Sequence, residues 1–435
     1  MPNSPDQARR NRRATATSVL TTAIEWYDYY LYGLVSGLVF GHVFFPASSA
    51  TSGTLQSFAI FAVGFIARPA GAMLFGHFGD RLSRRTALIS STLCMGIPTF
   101  AVALVPGYET AGLAGAIILV VLRVVQGIGL GGQWAGAVLV SMETGQAKRR
   151  GFFASWAQVG SPLGLILANL AIIATLGVTG SDQFAEWSWR IPFIASAVLI
   201  GATLYIRAKV EEPRAEAPKS TANPLLVLLR GHWRQVLLAA LTRTSEMAPF
   251  YIFTTFVITY GKNFLGLPEN RVLNIVLFAS VLSLVTIPLF GHLSDRWRRK
   301  RVYVVGALLT AVWSLAYFPL LDTGTTALIA VAVTVSLVLH DIQYGPQAAL
   351  IAESFPPEVR YSGTALGSQL ASIISGGPAP IIATALYGWT GSGLAIAGYL
   401  VLCSLIGAGA ALLLRTGSSS TSAEVPAPVS LRRRS

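Results

Sequence analysis

The chain has 435 residues, 53% of them hydrophobic and only 12% charged, with a mean hydropathy of +0.59. A soluble domain carries about 25% charged residues, and a soluble fold of this length has too little interior for so much apolar surface, so a water-soluble enzyme is excluded. The net charge of +13 is spread over short loops between apolar stretches and forms no basic face interleaved with aromatics, which excludes nucleic acid as a partner.

A helix needs about 20 apolar residues to cross the hydrocarbon core. Twelve segments meet that requirement: 19–44, 54–76, 87–106, 112–139, 152–176, 188–206, 235–260, 272–291, 302–321, 325–350, 362–387 and 393–414. The runs are continuously apolar without strict alternation, which favours helices over a barrel. The expected fold is all-α and membrane-integral, with twelve transmembrane helices in two six-helix bundles. Its divisions are a cytoplasmic N-terminal segment 1–17, a bundle 18–206, a cytoplasmic central loop 207–234, a second bundle 235–414 and a disordered tail 415–435.

The segment 1–17 is polar and basic and shows no cleavable signal peptide. Lys and Arg alternate by loop. Arg9, Arg10, Arg12 and Arg13, then Arg81, Arg84 and Arg85, then Lys148, Arg149 and Arg150, and then Arg296 to Arg301 all fall on one side. The opposite loops hold only Lys262 and Arg271. The positive-inside rule then puts both termini in the cytoplasm of a multi-pass cell-membrane protein. In the tail, Arg432, Arg433 and Arg434 either touch anionic lipid or stay solvated. Cys94 and Cys403 lie far apart in apolar runs, so neither a disulfide nor a metal site is implied.

Ionisable groups inside the membrane are expensive, and each is a site candidate. On the first segment, Glu25 and Asp28 are three residues apart and share a helix face. Two close carboxylates cannot both ionise cheaply, which suits a reversible proton carrier. The competing reading is a structural pair neutralised by Arg68 of the second segment or by another base. Arg123, on the fourth, has a planar fork that matches a carboxylate bidentately; alternatively it pairs with a buried acid when no substrate is bound. Arg243 and Glu246 on the seventh segment either pair with each other or serve substrate and proton. On the tenth, His340, Asp341, Gln343 and Tyr344 form a polar run. Glu25, Asp28, Glu246 and Asp341 are thus the proton-coupling candidates. Arg123, Arg68, Arg243, Gln133, His340, Gln343, Tyr344 and Tyr29 are the substrate-binding ones.

GHFGDRLSRR at 76–85 recurs as GHLSDRWRRK at 291–300, shifted by 215 positions. Glu143 precedes Arg150 by seven residues, and Glu353 precedes Arg360 by the same interval, at equivalent places in the two halves. The chain therefore reads as a duplicated six-helix unit. Topology requires Lys and Arg but not Gly or Asp at fixed spacing. Gly76, Asp80, Arg81, Arg84, Glu143, Arg150, Asp295, Arg296, Glu353 and Arg360 are accordingly expected to form a conformational latch.

The two copies of G-H-x-x-D-R-x-x-R-R/K resemble the loop signature of the major facilitator superfamily. EWYDYYLYG at 25–33, LRVVQGIGLGGQWAGA at 122–137, WSWRIPF at 187–193 and ESFPPEVRYSG at 353–363 narrow the resemblance to its metabolite–proton symporter family. LTRTSEMAPFYI at 241–252 and GLPENRVLNI at 266–275 are most similar to the shikimate permease group. The resemblance implies that the first, fourth, seventh and tenth helices line a central cavity. It also implies alternating-access uptake of a small organic metabolite, such as shikimate or a related hydroxylated acid, with protons as the coupling ion and no cofactor. Many members carry Glu where this chain has Gln133; if that Glu handles the proton in relatives, this chain uses another group or couples differently. The rival function is a proton-driven efflux antiporter. A sensor would need a soluble signalling domain that these loops do not hold, and no nucleophile–base constellation marks an enzyme. A monomer in contact with membrane lipid is expected.

Overall fold

The structure, a computed structural model, describes residues 5–81, 84–131, 138–139, 141–142, 149–209, 228 and 230–415. Every element among them is a helix. The described chain runs as twelve rods: α1 (5–44), α2 (Ala50–Arg81), α3 (Arg84–Val102), α4 (Leu113–Leu130), α5 (Arg150–Ser188), α6 (Arg190–Lys209), α7 (233–263), α8 (Glu269–Trp297), α9 (Arg299–Asp322), α10 (Thr326–Ala352), α11 (Pro357–Thr390) and α12 (Gly393–Leu413). Eight of these are long and apolar enough to cross a bilayer. The apolar parts of α3 and α6 are shorter, Ile89–Val102 and Arg190–Tyr205. The other two rods, α1 and α7, carry the embedded pairs Glu25/Asp28 and Arg243/Glu246, and those charges lower their hydropathy. Large apolar side chains such as Phe278, Val285, Val312 and Leu413 stay exposed on the outside, where a soluble protein would bury them.

The turns follow from backbone chemistry. The connections α3–α4, α7–α8, α9–α10 and α11–α12 each use a glycine with positive φ, Gly112, Gly266, Gly324 and Gly391, and a fifth, Gly180, kinks α5 ahead of its last residues. All five lie at one end of the molecule. At the other end α8 passes to α9 through the single residue Arg298, whose φ of 67° is uncommon for a side chain with a Cβ. Two rods contain corresponding π-helical stretches, Ser36–Phe40 in α1 and Ile252–Phe256 in α7. The second begins 216 positions after the first, close to the 215-position shift of the loop signature. This distortion thus repeats with the duplication, while two further π-helical stretches, Phe184–Ser188 in α5 and Ser372–Gly376 in α11, do not share the interval.

Packing depends on close approach. Along the α2–α4 seam, a Cβ at Gly71 would sit 1.9 Å from the Ile128 carbonyl oxygen, one at Gly127 would sit 2.1 Å from that of Gly64, and one at Gly131 would sit 1.9 Å from that of Arg68. These glycines bring Arg68 and Arg123 to the same region. The halves meet where α5 packs on α8 and α10, and where α2 packs on α11. Gly127→Ala is expected to lower the thermal unfolding temperature of the purified protein, because overpacking a tight seam costs about 1–3 kcal/mol. Gly177→Ala, with open space around its Cβ, is the control that should not.

Candidate functional site

Arg123 projects from α4 into the first half and is fully buried. Its Nη1 donates to Oε1 of Gln126, one turn along the helix, and its Nη2 donates to the Phe61 carbonyl oxygen at 3.3 Å. The guanidinium lies over the rings of Tyr32 (4.0 Å to the centroid), Tyr29 (4.8 Å) and Phe61 (5.2 Å). Arg68, on α2, approaches Tyr29 as well, at 4.3 Å, with Phe65 at 4.5 Å. Its Nη1 donates across the two halves to Ser372 Oγ on α11 at 3.3 Å. Arg68 Nε and Nη2 and Arg123 Nε have no hydrogen-bond partner. Among the described residues neither arginine makes an ion pair. This corrects the expectation that a buried acid neutralises Arg123, and likewise the one that Arg68 neutralises the Glu25/Asp28 pair. Aromatic faces and neutral oxygens hold both cations instead.

The second half is arranged differently. Arg243 Nε lies 3.5 Å from Glu246 Oε2, so these two do pair. Gln347 Nε2 donates to the same carboxylate oxygen at 2.6 Å. His340 sits between two acids, with Nε2 3.6 Å from Glu246 and Nδ1 3.0 Å from Asp341. Thr286 Oγ1 closes the cluster by donating to Asp341 Oδ2 at 2.5 Å. Gln343 departs from the expectation. Its amide donates to Thr310 Oγ1 on α9 at 3.0 Å, so it ties α10 to its own half.

Between these centres lie two cavities of about 10 Å³ each, enough for a single water. One is lined by Trp26, Tyr30, Ser161, Arg243, Glu246 and His340, among others. The second adds Ser280, Ser283 and Asp341. The cavity-facing residues of α1 are therefore Trp26 and Tyr30. Asp28 is fully buried, and neither carboxylate oxygen has a hydrogen-bond partner. Its polar neighbours are Thr99 on α3 and Glu25, so it turns away from both cavities and into the first half.

At the end that holds the α8–α9 link, both Asp295 oxygens accept backbone N–H groups from the start of α5, Gly151 and Phe152, each at 2.9 Å. A carboxylate there caps unsatisfied donors and meets the positive end of the helix dipole. Arg299 joins Asp295 (2.8 Å) to Glu353 (2.6 Å). Burial raises the Glu353 carboxyl above its ordinary pKa, against the pull of Arg299 and Arg150. Two latch assignments need correction. Arg296 is exposed and makes no ion pair among the described residues, because Arg299 takes that position. Arg360 does not reach Glu353; its Nε donates to the Phe355 carbonyl oxygen at 3.3 Å. Gln133 and Glu143 lie outside the described residues, as do the side chains at Gly76, Asp80, Arg81 and Arg84.

The opposite end also carries a contact between the halves. Lys262 on α7 donates to the Leu38 carbonyl oxygen of α1 at 2.9 Å and pairs with Glu269 at 2.5 Å. Contacts between the halves thus stand at both ends of the described residues, with the buried charged groups between them.

The profile of the Major Facilitator Superfamily matches residues 14–380 and, in a second match, 275–433. The chain belongs to the major facilitator superfamily. Within it, the chain is similar to the inner membrane metabolite transport protein YhjE of Escherichia coli (strain K12), at 38% identity over 91% of this chain and 94% of that protein. It is 37% identical to the shikimate transporter of the same organism, over 93% and 95%. A solved structure of a D-xylose-proton symporter shares the fold, with a TM-score of 0.71, 19% identity, and coverage of 92% of this chain and 96% of that one. The protein is a multi-pass membrane transporter of the metabolite–proton symporter family and not an enzyme.

Several site residues were not anticipated: Gln126, Thr99, Ser161, Thr286 and Ser372. Gln126 had a signal, since it stands three positions after Arg123 in an apolar helix. The hydroxyl residues had none, because Ser and Thr satisfy themselves on helix carbonyls throughout such bundles. If the Asp295 cap holds this end shut, Asp295→Asn removes the ion pair to Arg299 and one of the two N–H bonds, because an amide nitrogen cannot accept. A charge-assisted hydrogen bond contributes about 1.5–3 kcal/mol, so the variant should slow transport about tenfold or more. Substrate affinity should change less than about twofold, as read by binding to purified protein alongside transport in proteoliposomes.

Proposed function

We propose that the protein takes up a small hydroxylated carboxylate together with a proton, by alternating access. The observation that carries this reading is the pair of buried guanidinium groups, Arg68 and Arg123, sharing the ring of Tyr29 with no carboxylate partner among the described residues. Two cations at membrane depth without a counter-ion are costly, and a substrate carboxylate supplies the missing charge in a bidentate geometry. Tyr30, Ser161, Tyr344 and the Glu246–His340–Asp341 cluster border the adjoining cavities and offer donors and acceptors to substrate hydroxyls. The likeness to a shikimate transporter supports this class of substrate.

Asp28 carries the coupling proton in this scheme. An unpaired carboxylate at full burial is far cheaper to hold neutral than charged. The second-half acids, by contrast, already have Arg243, Gln347, Thr286 and His340 as partners. The Lys and Arg asymmetry of the loops places the Asp295 latch and both termini in the cytoplasm, and the carrier works as a monomer.

The test is uptake into proteoliposomes under an inward proton gradient, with labelled shikimate and zwitterionic betaine compared. Shikimate should accumulate, and a protonophore should abolish accumulation. A preference for betaine would overturn the anion site, outward movement of the label would favour efflux, and indifference to the protonophore would overturn coupling. Arg123→Lys keeps the charge but loses the fork, and the loss of a charged hydrogen bond weakens binding about tenfold or more. Asp28→Asn should abolish accumulation against a gradient while sparing counterflow exchange, which needs no net proton movement. Full accumulation by that variant would move coupling to Glu246 or Asp341.

A further inference from the structure

The link between α8 and α9 holds more positive charge than the contacts around it use. Residues 296–301 read Arg-Trp-Arg-Arg-Lys-Arg. Arg299 is taken by Asp295 and Glu353. Lys300 Nζ donates to the Leu412 and Leu414 carbonyl oxygens at 3.0 and 2.6 Å, which closes the C-terminal end of α12. Arg296, Arg298 and Arg301 are exposed, and their side chains make no ion pair or hydrogen bond among the described residues.

The repeated loop signature does not ask for all of these groups. Arg296 and Arg299 match Arg81 and Arg84 of the first copy, but Trp297, Arg298 and Arg301 stand where that copy has Leu82, Ser83 and Thr86. Arg298 is also the one residue other than glycine with positive φ among the described residues. Elsewhere the chain gives that conformation to glycine, which adopts it without strain; here it keeps a guanidinium.

Position along the helices tells what the free arginines face. On α8, Phe278, Leu282, Val285 and Leu289 are exposed at helical spacing and form a stripe suited to lipid tails. The same spacing, continued past half-buried Leu293, reaches Arg296. On α9, Val305, Leu308, Val312 and Leu315 form a second such stripe, and Arg301 stands at its head, one turn before Val305. The two helices pack on each other and are joined by Arg298 alone. Two guanidinium groups thus cap adjoining lipid-facing surfaces, and the Trp297 ring, 62% exposed, lies between them in sequence. Such a ring fits the headgroup level of a bilayer. The first turn of α9 has no acidic residue and no side-chain cap, so the positive end of its dipole adds to the field.

We infer that an anionic phospholipid binds at this edge of the protein. Arg296 and Arg301 hold its phosphodiester, Arg298 covers the headgroup, Trp297 lies at the glycerol level, and the acyl chains follow the two stripes. A guanidinium fork matches phosphate oxygens. A charge that only fixes topology needs no place on a lipid-facing stripe, and Arg299 and Lys300 already supply positive charge at this end. The inference does not depend on which substrate is carried.

The test uses the purified full-length protein in phosphatidylcholine vesicles that contain phosphatidylglycerol, with brominated acyl chains on one lipid or the other. Bromine quenches tryptophan fluorescence on contact, and comparing each protein with its own Trp297→Phe counterpart isolates the Trp297 signal. One arginine near an anionic surface shifts binding about fivefold, so the wild type should prefer phosphatidylglycerol at Trp297 by about tenfold or more. Arg296→Gln/Arg298→Gln/Arg301→Gln should bring the preference below about twofold. If that variant does not fold, Arg301→Gln alone decides, with a fall of about fivefold expected. Arg432→Gln/Arg433→Gln/Arg434→Gln, in the tail, should change nothing. Inorganic phosphate should weaken the preference no more than chloride at equal ionic strength, because it brings no chains for the stripes. The site is overturned if the wild type responds equally to both lipids, if the preference survives loss of the link arginines, or if it follows the tail arginines. Displacement by phosphate beyond the chloride effect would overturn a lipid as the occupant.

Discussion

The interior of this protein is organised by the cost of placing a charge far from water. Arg123 is fully buried and Arg68 nearly so, and neither finds a carboxylate among the described residues. What holds them is a collar of rings — Tyr29, Tyr32, Phe61 and Phe65 — with a carbonyl oxygen, a hydroxyl and one amide. Such partners make a cation tolerable without neutralising it. The glycine seam of α2 and α4 belongs to the same constraint, because a Cβ at Gly64 would stand 3.1 Å from Arg123 Nη2.

The two halves solve the burial problem in opposite ways. In the second half, Arg243, Glu246, His340 and Asp341 satisfy one another, with Gln347 and Thr286 completing the acids' hydrogen bonds. Closed networks of this kind favour one geometry. In the first half, Arg68 and Arg123 have no carboxylate partner among the described residues, and the Asp28 carboxylate on α1 accepts no hydrogen bond among them. An imbalance of charge between two otherwise repeated units is what a carrier for an anion and a proton needs, and duplication makes it accessible by substitution in one copy.

Duplication also shows in mechanics. The π-helical stretches of α1 and α7 recur at nearly the interval of the loop signature. Irregular turns inside membrane helices free backbone groups and mark places where a rod can change shape. The Asp295 cap on α5 and the Lys262 bridge to α1 join opposite halves at opposite ends. Alternating access requires that such contacts break one at a time.

Much of this was legible in the amino-acid sequence, and for a clear reason. A bilayer forces each crossing to be a helix, so apolar runs outline the rods, and the placement of Arg123, Arg68, Glu25, Asp28 and the His340–Asp341 run inside them marks these residues as costly and therefore site candidates. The repeat at 76–85 and 291–300 announced the duplication. Spacing along one helix made the Arg243–Glu246 pair one of two open readings, because residues three apart share a helix face, and the two do pair. Contacts between helices were not foretold. Nothing in the order of residues says that Arg68 and Arg123 flank one tyrosine, that Gln343 faces α9, or that Arg299 rather than Arg360 reaches Glu353. Each of those depends on the rotation and depth of a rod against its neighbours. Small-residue packing sets that rotation, and many apolar faces on a membrane helix satisfy the bilayer equally well, so only the assembled bundle decides which face turns inward.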